Sequence, residues 1–192
     1  NNALLYGDAG TGKSSSVKAL INEYYDQGLR MIEIYKHQFR DLSAVIAKVK
    51  NRNYRFIIFI DDLSFEENEV EYKFLKAVIE GGVETKPDNI LLYATSNRRH
   101  LVRQTFSERA GEEIDTFETI SEKTALAERF GLRIPYMTMN KREYLALIDH
   151  LAGLYQVEMD RELLHARAME WEIRHAGRTP RVARQFIASL TG

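Results

Sequence analysis

Cysteine is absent from the 192 residues, which excludes disulfides and thiolate metal sites and fits a reducing cytoplasm, where the chain is expected to act. The five histidines are scattered without zinc-like spacing, so any metal must be a hard cation held by oxygens. No apolar run approaches the roughly 18 residues of a membrane span, and the start carries no signal-peptide pattern. No membrane partner is expected. Net charge is only −1, so no global field draws the chain onto nucleic acid or anionic lipid. Internal repeats, low-complexity tracts and flexible linkers are missing too. What remains, 44% apolar and 29% charged residues, is the composition of an ordinary globular domain.

Five short apolar runs punctuate the chain: ALLY (3–6), LRMIEI (29–34), FIIFI (56–60), ILLYAT (90–95) and RIPYM (133–137). Four are continuous rather than alternating, as strands covered on both faces require. Helical stripes lie between them. Val17, Leu20, Ile21 and Tyr24 recur at helical spacing before Gly28; Val45, Ile46 and Val49 form a second stripe; Tyr72, Leu75 and Ile79 form a third, closed by Gly81-Gly82. The alternation predicts an α/β fold with five mostly parallel strands and helices on both faces. Past Met139 the pattern is helical only. One helix carries Tyr144, Leu147, Ile148, Leu151 and Leu154. A second carries Leu164, Ala168 and Trp171, expected in the core, and ends at Gly177. A third starts with Thr179 as N-cap and Pro180 at its first position. The expected division is a 1–139 α/β core and a 140–192 helical lid. The first apolar run begins so close to Asn1 that the chain reads as a fragment lacking upstream residues.

Gly7 to Ser14 (GDAGTGKS) matches G-x-x-x-x-G-K-[ST] between a strand and a helix, the context that gives the pattern meaning. Glycines allow the backbone to wrap a polyphosphate with N–H groups inward, and the helix N-terminus adds partial positive charge. The candidate phosphate-binding residues are Gly7, Asp8, Ala9, Gly10, Thr11, Gly12, Lys13, Ser14 and Ser15. Lys13 would pair with the β and γ phosphates, and the Ser14 hydroxyl would ligate Mg²⁺. Such a loop calls for an acidic residue at the end of a neighbouring buried strand, and FIIFIDD supplies Asp61 and Asp62. Asp61 would hold the metal through its water shell, and Asp62 would orient or deprotonate the attacking water.

With these motifs in order, nearly the whole chain resembles the AAA+ ATPases, a branch of the P-loop NTPases. LLYATSN looks like the strand bearing the polar sensor-1 residue, here Asn97. ERFGL (128–132) looks like the segment ending in an arginine finger, here Arg129. GRTPRVARQF (177–186) is similar to the sensor-2 motif and points to Arg181. Within the AAA+ proteins, NNALLYGDAGTGKSSSVKAL, FIIFIDDLSFEE and LLYATSNRRHLV resemble an uncharacterised bacterial family catalogued as a domain of unknown function. The resemblance implies an ATP/ADP- and Mg²⁺-binding module. It implies a homo-oligomer with nucleotide between subunits, Arg129 reaching a neighbour's γ-phosphate, and an unknown protein or nucleic-acid complex as remodelling target. Two other readings stay open: a nucleotide-gated binding switch with little turnover, and a P-loop kinase for a small substrate.

The chain departs from most AAA+ proteins at Asp62, where glutamate is usual. Aspartate reaches roughly 1.5 Å less, so slow turnover is expected. Glu66 and Glu67 could substitute only if their loop folded back. Tyr35, in YKHQFRD (35–41), stands where protein-threading members carry an aromatic pore residue, but it lacks the hydrophobic–glycine sequel and reads as an ordinary connector. NRRHLVRQTF (97–106) is locally basic and is followed by an acidic stretch; Arg98 and Arg99 could face a neighbour's nucleotide or a nucleic acid, or simply solvent.

Overall fold

A computed structural model describes residues 1–65, 70–79, 87–97, 126–175 and 177–191. The expected Gly81-Gly82 stop, Glu66 and Glu67, and the basic and acidic stretch from Arg98 to Glu118 lie outside the described residues. The chain groups into two compact units: residues 1–7 with 13–135, and residues 8–12 with 136–192.

The first unit is built on a five-stranded sheet in the order β2-β3-β4-β1-β5, with β1 Ala3–Gly7, β2 Leu29–Glu33, β3 Arg55–Ile60, β4 Ile90–Ser96 and β5 Leu132–Tyr136. The β1–β4, β2–β3 and β3–β4 pairs are parallel. All five coincide with the apolar runs to within about a residue. Alternation along the central strands assigns their faces. Phe56, Ile58 and Ile60 of β3, with Ile90, Leu92 and Ala94 of β4, join one core with Leu42 of α2 (Leu42–Val49) and Tyr72 and Leu75 of α3 (Glu71–Ile79). Ile57, Leu91 and Tyr93 point to the opposite face, where they line a cavity together with Leu20 of α1 (Lys13–Tyr24). Helices therefore cover both faces, as continuous apolar strands demand. The edge strands differ. β5 is largely exposed along its length and contains Pro135, a residue tolerated at a sheet edge because no ladder donor is needed on its open side. After β2, Lys36–Asp41 forms a 3-10 turn that buries Phe39 and leaves Tyr35 exposed and stacked on His37.

The second unit packs three helices: α4 Lys141–Leu154, α5 Arg161–Arg174 and α6 Pro180–Thr191. Tyr144, Ile148 and Leu151 of α4 share a core with Leu164 and Ala168 of α5 and with Val182, Phe186 and Ile187 of α6. Each helix start is capped by a side chain. Asn140 Oδ1 accepts from the Glu143 amide while Glu143 Oε2 accepts from the Asn140 amide; Asp160 Oδ1 accepts from the Glu162 and Leu163 amides; Thr179 Oγ1 accepts from Val182. Trp171 is not in the centre of this core. It is half-buried at the margin, its ring stacked 4.0 Å from that of His175.

Between α4 and α5, Asp149 accepts from Arg161 at 2.7 Å and meets His165 at 2.6 Å. The Arg161 hydrogen bond lowers the Asp149 pKa from 3.8, outweighing the partial burial that opposes it, and His165 adds in the same direction. A carboxylate depressed in the folded state contributes stability above its unfolded pKa and loses it as pH falls through the folded value. Asp149→Asn should therefore lower the melting temperature near neutral pH. The gap to the parent should close as pH drops below 3.8, as pH-resolved thermal melts would show.

Candidate functional site

In the first unit β3 delivers Asp61 and Asp62 at its carboxyl end, and the parallel register with β4 decides their partners. Ile60 pairs with Ala94, so the next residue along each strand brings Asp61 beside Thr95. The Thr95 hydroxyl, 1% exposed, donates to Asp61 Oδ1 at 2.5 Å and accepts from the Asp62 amide at 2.9 Å. The Thr95 carbonyl accepts from Leu63 at 2.7 Å. One threonine thus fixes both aspartates. Sequence reading passed over Thr95 because a threonine inside a strand looks like an ordinary β former; only the register gives it a task.

Ser14, in the first turn of α1, donates to the same Asp61 Oδ1 at 2.6 Å. Two hydroxyls on one oxygen leave Asp61 Oδ2 without a partner among the described residues, and the residue is exposed. Serine, aspartate and threonine oxygens are the donor set of a hard cation such as Mg²⁺, which keeps several waters and needs few protein ligands. The described residues hold no cluster of three His, Cys, Asp or Glu.

Asp62 adopts φ +53, in the left-handed region that aspartate tolerates better than most residues. Its Oδ1 accepts from Asn97 Nδ2 at 2.8 Å. Lys13 is 6% exposed, and its ammonium donates to the Gly7 carbonyl at 3.0 Å. Ser15 is exposed on the same helical turn. Arg129 takes no part in the hydrogen bonds of Asp61 and Asp62. It is exposed beside buried Leu126, Ala127 and Phe130, and its amide donates to the Leu126 carbonyl.

In the second unit the segment Asp8–Gly12 is anchored at several points. The Asp8 amide donates to the Tyr136 carbonyl at 3.0 Å, Asp8 Oδ2 accepts from the Thr138 amide at 3.0 Å, and Thr11 Oγ1 donates to the Asp8 carbonyl at 2.7 Å. Ala9 is exposed. The Gly10 carbonyl accepts from the Arg181 amide at 3.3 Å, so the loop and the expected sensor-2 residue are direct neighbours. A Cβ at Gly10 would lie 3.2 Å from Thr179 Oγ1 and 3.3 Å from Arg181 Cβ, at φ +76. Gly10→Ala should destabilise the protein by about 1–2 kcal/mol from the left-handed backbone alone. A urea titration would measure the loss, and the same variant should bind polyphosphate less well.

A family model described as "Protein of unknown function (DUF815)" matches residues 1–192. No curated protein gives a significant match. Solved structures do. A single-site variant of RuvB from Thermotoga maritima is 18% identical, with a TM-score of 0.65 over 98% of this chain and 53% of that one. Hsp104 with ATPγS and FITC casein is 18% identical, with a TM-score of 0.60 over 100% of this chain and 34% of that one. The FIGL-1 AAA domain in complex with ADP is 14% identical, with a TM-score of 0.56 over 98% of this chain and 71% of that one. The chain spans about half the length of the RuvB structures it matches. At these identities the likeness establishes the fold.

Proposed function

The chain belongs to the DUF815 family and carries the AAA+ ATPase fold, and from that premise we propose that it binds Mg·ATP at Gly7–Ser15 and hydrolyses it slowly at a subunit interface, to remodel a protein or nucleic-acid partner. The observation that carries this reading is the group Ser14, Asp61, Thr95, Asp62 and Asn97 at the carboxyl ends of β3 and β4, tied together by hydrogen bonds of 2.5–2.9 Å.

In this reading the amides and glycines of the loop wrap the phosphates, and Lys13 pairs with the β and γ groups. Mg²⁺, held by Ser14 and by Asp61 through water, would offset the negative charge on the phosphate oxygens. Asp62 orients the attacking water and accepts its proton, and Asn97 holds the Asp62 carboxylate in place for that transfer. Arg181, one residue into α6 and bonded to Gly10, answers to nucleotide through the lid. Arg129, exposed and outside the aspartate cluster of its own subunit, serves a neighbour. The copies therefore form a homo-oligomer through the nucleotide site, with ATP and ADP as ligands.

A second reading has a specific observation in its favour. Asp62 is shorter than the usual glutamate, and one of its oxygens is engaged by Asn97. That combination suits a nucleotide-gated switch in which hydrolysis only resets the bound state.

Arg129 decides whether the site is shared. Arg129→Ala should lower kcat of the assembled protein by roughly 10³–10⁵, or about 4–7 kcal/mol of barrier. Mixing it with a Lys13→Ala variant, itself inactive, should restore activity, because the Lys13 variant lends its intact Arg129 to the other's nucleotide. Unchanged turnover in Arg129→Ala, or no recovery in a mixture shown to co-assemble, would refute a finger at this position.

A further inference from the structure

The edge of the sheet opposite Asp61 and Asp62 carries features that nucleotide binding does not use. Lys48, Lys50, Arg52 and Arg55 place four cations in eight residues with no carboxylate among them. Arg55 opens β3, so this segment sits at the amino-terminal ends of the strands, roughly 20 Å of strand away from Asp61. Arg30 of β2 stands next to it, because Leu29 pairs with Arg55 and Arg30 with Phe56. The Arg30 guanidinium lies between two rings, 3.9 Å from the centroid of Tyr25 and 4.5 Å from that of Tyr54. Its Nη1 donates to the carbonyls of Tyr25 and Leu29, both at 2.8 Å. Backbone bonds and rings therefore fix its orientation, and no carboxylate neutralises it among the described residues.

The rings are open to solvent: Tyr25 is 53% exposed and Tyr54 46%. Beside them lie two cavities, of about 890 Å³ and about 340 Å³. The larger has Tyr24, Arg55 and Tyr93 in its walls, the smaller has Lys50 and Arg52, and Asp88 and Asn89 line both. The two adjoin at Asp88 and Asn89 and together form a trough whose walls are mostly apolar, Leu29, Phe56, Ile57 and Leu91 beside Tyr24 and Tyr93, with Arg52 and Arg55 at its margin. Exposed Asp88 adds one carboxylate to it, while Asn89 is turned to the backbone, its Nδ2 donating to the Val49, Arg52 and Tyr54 carbonyls.

The ligand must use cations and ring faces at once. An acidic peptide would engage the arginines and leave the tyrosines idle, and a duplex keeps the faces of its bases stacked inside. A single strand presents a phosphate and an open base face at every step, and proteins that hold single strands combine a basic groove with aromatic platforms. We propose that this trough and the tyrosines beside it bind single-stranded nucleic acid, with bases stacking on Tyr25 and Tyr54 and with Arg52 and Arg55 following the phosphates. The proposal stands independently of ATP hydrolysis, because no residue of the trough belongs to the nucleotide site.

The test is fluorescence anisotropy of an end-labelled oligodeoxythymidine, about 20 nucleotides long to exceed the usual site sizes, titrated with the full chain without ATP. Saturable binding is expected, and it should weaken steeply between about 50 and about 200 mM salt as counterion release dictates. Tyr54→Ala should raise Kd about tenfold, while Tyr54→Phe keeps the ring and the affinity. Arg52→Glu combined with Arg55→Glu, both exposed, should weaken binding further without disturbing a core. Lys13→Ala should leave the affinity unchanged. Absence of binding by the parent would overturn the proposal. So would equal affinity for a duplex of the same length, or displacement by polyglutamate as effective as by unlabelled oligonucleotide, since either would mark a general anion surface.

Discussion

Lys13→Ala should weaken Mg·ATP binding by roughly 10–150-fold, the loss of about 1.5–3 kcal/mol that accompanies removal of a hydrogen bond to a charged group. Hydrolysis should fall further, because in the proposed reaction the same ammonium stabilises charge on the transferring phosphoryl group. The side chain is 6% exposed and its ammonium already bonds the Gly7 carbonyl, so the cation is fixed at the first glycine of the pattern. Titration calorimetry with a slowly hydrolysed ATP analogue would measure the affinity, and thermal melting without nucleotide would separate it from any folding defect. Equal affinity in parent and variant would mean that the loop binds something other than phosphate.

Asp62→Asn isolates a different step. The carboxamide cannot take a proton, so turnover should drop by roughly 10²–10⁴. Binding should survive, since the proposed function assigns the phosphate contacts to the loop and the metal contacts to Ser14 and Asp61. The substitution is structurally mild. Asparagine tolerates the positive φ of this position as aspartate does, and its Oδ1 can still accept from Asn97 Nδ2. Single-turnover phosphate release beside equilibrium binding would reveal the split. A loss of affinity equal to the loss of rate would assign Asp62 to holding nucleotide rather than activating water.

These side chains were legible in the sequence to different degrees, for physical reasons. The strands could be read because a strand buried on both faces needs an unbroken apolar run, and FIIFI and ILLYAT have no other economical use. The glycine pattern and the Asp61–Asp62 pair could be read because each sits where a strand ends. Thr95 could not, since its role depends on Ile60 lying opposite Ala94. The stack of Tyr25, Arg30 and Tyr54 was hidden for the same reason: residues 25, 30 and 54 meet only once β2 pairs with β3. The exposure of β5 was hidden as well, because RIPYM does not reveal that its strand lies at the edge. Nor does local sequence announce that residues 8–12 group with the helical unit, which rests on the Asp8 and Gly10 hydrogen bonds. Trp171, expected in the core, is only partly buried against it, and packing assigns the centre to Tyr144, Ile148 and Phe186.

The proposed ATP site is completed by a second copy of the chain. Phosphate release from Mg·ATP, measured per subunit over about two decades of protein concentration, tests this most directly, because mass action makes a shared site concentration-dependent. The predicted result is a specific activity that climbs with concentration towards a plateau. A measurable rate that stays constant from the most dilute to the most concentrated sample would contradict it, since each copy would then carry a complete site of its own.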